Sequence, residues 1–463
     1  MIFNSITFMF YLPCVLIICS IIKCYQKRTM WMLLSSYIFY MYWEPSYIIL
    51  ILGSTIVDFF TGQRIHEAKN IATRRLFLSI SLSLNLGLLF TFKYFNFFSN
   101  IIWSFFPYFF PSDKPLLLQV LLPVGISFYT FQTMSYSIDI YKGEQKPERN
   151  FYTFALFVSY FPQLVAGPIE RSKNLLPQIS KNIRFNPDNL SYFFRMFLWG
   201  IFKKVVVADN LASYVDLVFG GSHNHSSLTL LIGSILFSTQ IYCDFSGYSD
   251  IAIGTSRLFN IRLMDNFKTP YLAKSMGEHW QRWHISLSSW FRDYVYIPLG
   301  GSREGSLKTF RNILITFVVS GIWHGANWTF VLWGGIHGVF VGLEKILDLK
   351  FKLPSFMKII SVFLVANFAF IFFRANDIQH GWGYILKMLS CEPGNIYKFF
   401  ELIKFIPSLM LLAIIDILLG TKSFGEWLDS ISPNVRLILY TFLAHFILQN
   451  GAFHGKSFIY FQF

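Results

Sequence analysis

Long apolar segments separated by short polar loops recur along the whole chain, and this pattern restricts the fold more than any other feature. Of the 463 residues, 54% are hydrophobic and only 14% are charged. A single soluble core cannot bury that much apolar surface, so the chain is expected to lie in a membrane. The apolar segments lack the ten-residue alternation of a membrane β-barrel. The sequence therefore predicts an all-α, polytopic integral membrane protein.

The apolar segments predict roughly 11 spanning helices, with re-entrant and interfacial helices between them. The first apolar segment is 1–22, and Lys23, Lys27 and Arg28 follow it. Because positively charged loops remain in the cytoplasm, the N-terminus is predicted outside and the 23–29 loop inside. The next apolar segment then returns outward to a tight turn at Trp43.

Two regions are predicted to enter the membrane without crossing it. Pro162, Gly167 and Pro168 interrupt a short apolar run, which indicates a re-entrant segment. Between Tyr248 and Ser306 no stretch is long or apolar enough to span, so short helices are expected to dip into the cytoplasmic face. No internal repeat is present, which favours one integral domain over residues 1–463 with a catalytic core at about 120–345.

Two histidines stand in unusual local settings. His324 ends an apolar run, where a titratable imidazole is costly unless it faces a polar cavity or a partner. His284 follows a segment in which Arg282 lies between Trp280 and Trp283, as at a membrane interface. Histidine exchanges protons near neutral pH, so both are candidate catalytic residues. The structural alternatives are a buried histidine bonded to a neighbouring helix for His324 and an interfacial residue for His284.

Metal binding and serine catalysis are the competing uses of these polar residues. His279 and His284 would be rotated ~140° apart on a helix, and no metal-ligand motif occurs, so no metal site is predicted. Ser246 lacks the first glycine of a nucleophile elbow. The motif around Ser246 therefore indicates turn chemistry at a helix boundary, with Asp244 or Ser246 as a cap.

Five motifs resemble the membrane-bound O-acyltransferase family, in particular its bacterial branch typified by the alginate O-acetyltransferase membrane subunit and by peptidoglycan-acetylating relatives. They cover almost the whole chain and occur in the family's order. The motifs are Phe-Pro-Gln-Leu-Val-Ala-Gly-Pro-Ile at 161–169, Asp-Phe-Ser-Gly-Tyr-Ser-Asp at 244–250, Trp-Gln-Arg-Trp-His-Ile-Ser-Leu-Ser at 280–288, Tyr-Ile-Pro-Leu-Gly-Gly at 296–301 and Trp-His-Gly-Ala-Asn-Trp at 323–328.

The resemblance implies a bacterial inner-membrane enzyme that moves an acetyl group from a cytoplasmic thioester outward, for O-acetylation of alginate, peptidoglycan or a similar polysaccharide. It implies that His324 is the essential histidine in a central tunnel and that His284 orients the donor or binds the oxyanion. Acetyl-coenzyme A is the expected donor, with no bound cofactor. An extracytoplasmic esterase-like acetyltransferase is the expected partner.

Positive charge has two interpretations in this chain. Lys274, Arg282, Arg292 and Arg303 are candidates for binding the phosphates of coenzyme A, although topology-determining charge explains them equally well. The net charge is +14. Membrane topology and anionic membrane lipids account for most of it, and no motif indicates nucleic-acid binding.

The last six residues, Phe-Ile-Tyr-Phe-Gln-Phe at 458–463, form an aromatic tail with one hydroxyl group. One interpretation is an interfacial anchor. The other follows from a resemblance to the Phe-x-Tyr-x-x-Phe ending of the small partner peptide in teichoic acid D-alanine transfer, whose tyrosine is thought to carry the acyl group. By that resemblance Tyr460 is a candidate acyl acceptor.

A proton-coupled transporter is the alternative from another functional class, because it too would bury histidines among many spans. Such transporters often contain repeated halves with paired broken helices. The chain shows neither feature, so the acyltransferase interpretation is favoured.

Overall fold

The computed structural model describes residues 1–106, 108, 114–165, 167–347, 353–453 and 458–459. Within these ranges every regular element is a helix, which confirms the predicted all-α class. The chain forms two compact units: the first comprises Met1–Phe193 and Ala252–Met264, and the second Phe194–Ile251 and Asp265–Phe463.

The first unit contains the N-terminal helices. They are α1 (Ile6–Ile21), α2 (Tyr25–Met41), α3 (Ile48–Glu67), α4 (Ile71–Leu89), α5 (Phe95–Phe105), α6 (Ile126–Tyr141), α7 (Phe151–Ser159), α8 (Phe161–Leu164) and α9 (Ser172–Asn182). A π-helical turn joins α4 to α5. Pro123 and Gly125 favour a break in a helix, and α6 begins only after them, at Ile126. The first four residues of the motif at 161–169 form the short, buried helix α8.

The second unit contains the helices that carry the candidate histidines. They are α10 (Leu190–Ile201), α11 (Asp209–Gly220), α12 (Ser227–Leu258), α13 (Met276–Arg282), α14 (Ile285–Phe291), α15 (Ser306–His324), α16 (Trp328–Leu347), α17 (Ser355–Arg374), α18 (Ile378–Leu389), α19 (Phe399–Leu419), α20 (Phe424–Asp429) and α21 (Pro433–Asn450). The π-helical stretch Phe202–Ala208 connects α10 to α11. The final residues of α12 belong to the first unit.

Six helices in the described part of the chain are long and apolar enough to cross a membrane. They are Pro45–Glu67, Ile71–Phe105, Ser227–Leu258, Trp328–Leu347, Ser355–Arg374 and Phe399–Leu419, and Ile6–Ile21 is a shorter apolar helix. A multi-pass membrane protein is therefore confirmed, whereas the predicted number of about 11 spans is not.

The motif at 244–250 is not a turn, and the interpretation of Asp244 or Ser246 as a helix cap was wrong. Both residues lie inside α12, which continues to Leu258 without interruption. Gly247 of this motif lies at a close helix crossing, since a Cβ on Gly247 would lie 2.7 Å from the carbonyl oxygen of Gly200. Glycine in this motif is needed for backbone approach, as at small-residue contacts between membrane helices.

The hairpin of α15 and α16 uses the same device. A Cβ on Gly321 would lie 2.2 Å from the carbonyl oxygen of Phe330, and a Cβ on Gly334 would lie 2.3 Å from that of Phe317. The two helix backbones are therefore in direct contact, and this contact fixes the C-terminal end of α15, where His324 lies.

Candidate active site

His324 is the last residue of α15, and aromatic rings surround it. Its ring centroid lies 4.9 Å from that of Trp323, 4.9 Å from that of Trp333 and 5.4 Å from that of Phe373. Only 3% of its surface is exposed. His324 is therefore buried at the end of α15, in a setting of low polarity.

His284 lies between α13 and α14, in a strained backbone conformation. Its φ is +41°, a left-handed value that side chains other than glycine adopt at a cost of about 1–3 kcal/mol. Asn266 stabilises the turn: its main-chain oxygen accepts from the N–H of Ile285 at 2.9 Å, and its side-chain oxygen accepts from the hydroxyl of Ser286 at 2.8 Å. Asn266 also donates to Ser249 of α12 at 3.1 Å. The strain at His284 is therefore maintained by surrounding hydrogen bonds.

The two histidines are neighbours in the second unit, although 39 intervening residues separate them in the printed sequence. Their ring centroids are 6.4 Å apart. His284 is fully buried, and burial lowers its pKa to about 3. The imidazole of His284 is therefore neutral at pH 7 and carries one N–H donor and one acceptor nitrogen.

A second pair of buried histidines, His279 and His337, was not singled out by sequence reasoning. The indole N–H of Trp280 donates to Nδ1 of His337 at 3.3 Å, so a neutral His337 carries its proton on Nε2. His279 contacts the carbonyl of Pro270 at 3.2 Å, and burial lowers its pKa to about 4. The ring of Trp333 contacts both His324 and His337.

A cavity of about 720 Å³ lies in the second unit, and neither His284 nor His324 is among its lining residues. Its walls include Ile285, which directly follows His284, and Ser320, which lies one helical turn before His324. The lining is largely apolar; Arg292 and Lys345 contribute positive charge and Glu344 contributes negative charge. This volume is within the range of small-molecule sites in proteins.

The four predicted donor-binding residues occupy different positions. Arg292 lines the cavity, and its side chain is 62% exposed. Arg282 forms an ion pair with Glu278 at 2.5 Å. Lys274 and Arg303 are exposed and are absent from the cavity lining. Sequence reasoning missed Lys345, which helical spacing from Val341 would have placed on the same face of α16.

Tyr460 lies outside the described residues. The two tail residues that precede it are described and buried: Phe458 is 1% exposed and Ile459 is 3% exposed. Phe458 packs against Phe245, whose ring centroid is 4.5 Å from that of His284. The start of the aromatic tail therefore lies one side chain away from the histidine pair.

No three His, Cys, Asp or Glu side chains cluster as metal ligands in the part of the chain that the structure describes. His279 and His284 are both buried, and each makes separate ring contacts.

Comparison with known proteins gives consistent results. The family model for the membrane-bound O-acyltransferase family matches residues 148–376. The probable alginate O-acetylase of Pseudomonas aeruginosa is 37% identical over 399 residues, which cover 84% of this chain and 75% of the relative. The peptidoglycan O-acetyltransferase of Helicobacter pylori is 36% identical, covering 85% of this chain and 80% of the relative. The teichoic acid D-alanyltransferase of Bacillus subtilis is 26% identical, covering 61% of this chain and 76% of the relative.

Proposed function

Because the chain belongs to the membrane-bound O-acyltransferase family, we propose that this acyltransferase takes an acetyl group from cytoplasmic acetyl-coenzyme A and passes it outward for O-acetylation of a polysaccharide. The polymer is alginate, peptidoglycan or a similar envelope or secreted glycan, the classes that appear in the names of its relatives. The observation that carries the proposal is the buried pair His284 and His324, whose ring centroids are 6.4 Å apart, together with a cavity lined by Ile285 and Ser320, which lie one residue and one helical turn from them. None of the relatives reported above is named a transporter.

His324 is the general base in this proposal. It accepts the proton of an acceptor hydroxyl while the hydroxyl oxygen attacks the thioester carbonyl carbon. The C–O bond forms, the C–S bond breaks, and the coenzyme leaves as a thiolate that takes up a proton. The aromatic rings around His324 exclude water, which limits wasteful hydrolysis of the thioester.

His284 binds the oxyanion that forms in this step. Its ring is neutral at pH 7 because burial lowers its pKa, and a neutral imidazole donates a hydrogen bond without adding a buried charge. A ring nitrogen lies about an ångström from its centroid and a hydrogen bond spans about 3 Å, so one acyl group beside the pair can contact both rings. The rigid turn at His284 supports this role, because a preorganised donor needs no rearrangement during the reaction.

The thioester donor occupies the cavity that Ile285 and Ser320 line. Its apolar lining suits the pantetheine arm, and Ser288 and Ser289 offer hydroxyls for the amides of that arm. Arg292 and Lys345 bind the coenzyme A phosphates, with Lys274, Arg282 and Arg303 as more distant contributors to the positive field.

Tyr460 receives the acetyl group and presents it to an extracytoplasmic esterase-like acetyltransferase. The phenol's ordinary pKa near 10 makes an aryl ester a better leaving group than a sugar ester, which suits a relay. The burial of Phe458 beside Phe245 and His284 supports a tail that reaches the histidines. The protein lies in the bacterial inner membrane with its N-terminus outside, in contact with membrane lipids and without a nucleic-acid partner.

Isotope-labelled acetyl-coenzyme A supplied to the purified protein in liposomes tests the proposal. Wild-type protein should release free coenzyme A and retain label on the protein. His324→Gln should do neither, and Tyr460→Phe should lose the retained label. Glycan analysis in cells that express Tyr460→Phe should show no acetylation. Label retention by Tyr460→Phe would place the acceptor elsewhere, and release of coenzyme A by His324→Gln would remove that histidine from the mechanism.

A further inference from the structure

Two consecutive lysines, Lys203 and Lys204, are buried in the π-helical stretch between α10 and α11. Lys203 forms an ion pair with Asp250 at 2.5 Å, and Lys204 pairs with Asp244 at 2.7 Å and with Asp209 at 2.8 Å. Burying so many charges is costly, and a hydrophobic cluster of similar volume often stabilises a fold as well or better. The proposed chemistry does not use this network, so its presence calls for another role.

Asp244 has a second contact, and this one is with the carboxyl-terminal segment. One carboxylate oxygen, Oδ1, faces Lys204, whereas the other, Oδ2, accepts a hydrogen bond from the main-chain N–H of Ile459 at 2.7 Å. The donor belongs to the backbone, so this contact fixes the path of the chain whatever side chain stands at position 459. A hydrogen bond to an ionised carboxylate is about twice as strong as one between neutral groups.

The same face of α12 holds the neighbouring tail residue. Tyr248 follows Asp244 by four residues and Phe245 by three, and residues three or four apart are neighbours on a helix surface. Asp244 and Phe245 therefore both border Tyr248 on this helix. The ring of Phe458 lies 4.8 Å from that of Tyr248 and 5.6 Å from that of Phe245. The motif at 244–250 therefore forms a docking face with one aromatic site for a side chain and one carboxylate for a backbone N–H.

The chain that leads to the carboxyl-terminal residues is also attached near the two lysines, through Asn450 and Ala452. The side-chain amide of Asn210 donates to the carbonyl oxygen of Asn450 at 2.8 Å. The N–H of Ala452 donates to the carbonyl oxygen of Val205 at 3.1 Å. Before residue 454 the chain is held by Asn210 and Val205, and at Ile459 it is held by Asp244.

We propose that Asp244, oriented by Lys204, is a positioning residue that docks the carboxyl-terminal segment through the N–H of Ile459 and thereby presents the next residue to the histidine pair. This proposal rests on the proposed function only for the role of Tyr460 as acceptor. The docking contact itself is independent of the chemistry.

Hydrogen exchange of the segment measures docking without reference to catalysis. Asp244→Ala should speed exchange in the peptide that contains residues 458–463 by about 10- to 100-fold, the effect of losing a hydrogen bond to a charged group. Asp250→Ala is the matched control, because it removes a carboxylate from the same helix and leaves a buried lysine without touching the tail. Exchange that rises equally in both variants reflects general loosening and overturns the proposal.

Substitution of Ile459, whose N–H donates the hydrogen bond to Asp244, gives a second test on the full chain. Ile459→Pro removes the N–H and should speed exchange as Asp244→Ala does, whereas Ile459→Val keeps the N–H and should keep the protection. Unchanged exchange in Ile459→Pro overturns the proposal even if Asp244→Ala misfolds.

Kinetics connect docking to function. A positioning role predicts that Asp244→Ala lowers kcat for acetyl transfer by about 10-fold or more and leaves the KM for acetyl-coenzyme A unchanged, because the donor cavity is untouched. A rise in KM without loss of kcat contradicts the role. If exchange rises as expected and Tyr460→Phe still acetylates normally, the docking inference stands and the acceptor assignment fails.

Discussion

His284 combines two energetically unfavourable features, a strained backbone and a buried titratable ring. Its backbone is left-handed, and its imidazole is fully buried with its pKa lowered by that burial. Strained, buried polar residues occur mainly where a site must be rigid before its ligand arrives. Asparagine tolerates the left-handed conformation better than alanine, so His284→Asn is the substitution that separates the chemistry of the ring from the geometry of the turn.

His324→Gln should lower acyl transfer by about 10²- to 10⁴-fold, the usual effect of losing a positioned general base. His284→Asn should have a smaller effect, because it removes an oxyanion contact and leaves the base in place. Steady-state release of coenzyme A by purified variants in liposomes provides the measurement, with expression and melting temperature as controls. Equal, complete loss in both variants would mean that the two histidines act as one unit. Normal turnover in His284→Asn would make that residue structural.

Acid should destabilise the protein partly through His279. Burial lowers its pKa from near 6.5 to about 4, so between these values the unfolded chain binds a proton that the folded chain excludes. Stability is therefore retained above pH 6.5 and falls as the pH drops toward 4, by about 1.4 kcal/mol per pH unit from this residue. The melting temperature of His279→Gln should decrease less than that of the wild type between pH 7 and pH 5. Parallel decreases would show that His279 does not contribute.

Local sequence was sufficient to select His324 and His284, because each stands in a composition that is unusual for histidine. Their proximity was suggested only by family resemblance, since 39 residues intervene and no periodicity relates them. The role of Asp244 was missed because its partners are Lys204 and Ile459, distant in sequence. One signal was available: Lys203 and Lys204 interrupt an apolar run, where buried charges indicate acidic partners.

At the scale of elements, glycine contacts determine where the candidate catalytic side chains lie. Sequence patterns predicted a helix boundary at Asp244 or Ser246, whereas α12 continues to Leu258, for another three to four turns. The polar residues and the glycine of the motif at 244–250 favour a turn by their intrinsic conformational preferences, which do not include contacts with the rest of the protein. In the folded chain, the crossing at Gly200 and Gly247 and the ion pairs of the two lysines stabilise a polar helix interior.

The neighbouring residues Gly334 and Gly335 allow a matched test of this packing. A Cβ on Gly334 would lie 2.3 Å from the backbone of Phe317, whereas nothing lies within 4 Å of one on Gly335. Gly334→Ala should therefore destabilise the α15–α16 hairpin by about 1–3 kcal/mol or more and displace His324. Gly335→Ala should be neutral or stabilising by up to about 1 kcal/mol. Melting temperature and acyl transfer of both variants test this, and equal behaviour would show that the helix contact does not position the histidine.

At the scale of the whole molecule, the arrangement in the membrane depends on helices that composition alone does not identify as spans. The helix α2 is one example, since it has 17 residues and carries Lys27 and Arg28 in its first turn. At 1.5 Å per residue it is about 26 Å long, slightly less than the hydrocarbon thickness of about 30 Å. Positive charge at one end and Trp43 beyond the other end are nevertheless typical of a helix that crosses from the cytoplasm outward.

Cysteine labelling tests this orientation directly. Cys24, the residue before α2, is exposed, and main-chain N–H groups of Lys27 and Gln26 lower the pKa of its thiol, which favours reaction with maleimides. With Cys14 and Cys391 replaced by serine, a membrane-impermeant maleimide should label Cys24 only after the cells are permeabilised. In the same background lacking Cys24, Trp43→Cys should be labelled in intact spheroplasts, because the helix carries it to the opposite face. Labelling of Cys24 in intact spheroplasts would reverse the proposed orientation, and labelling of both positions from one side would show that α2 does not cross the membrane.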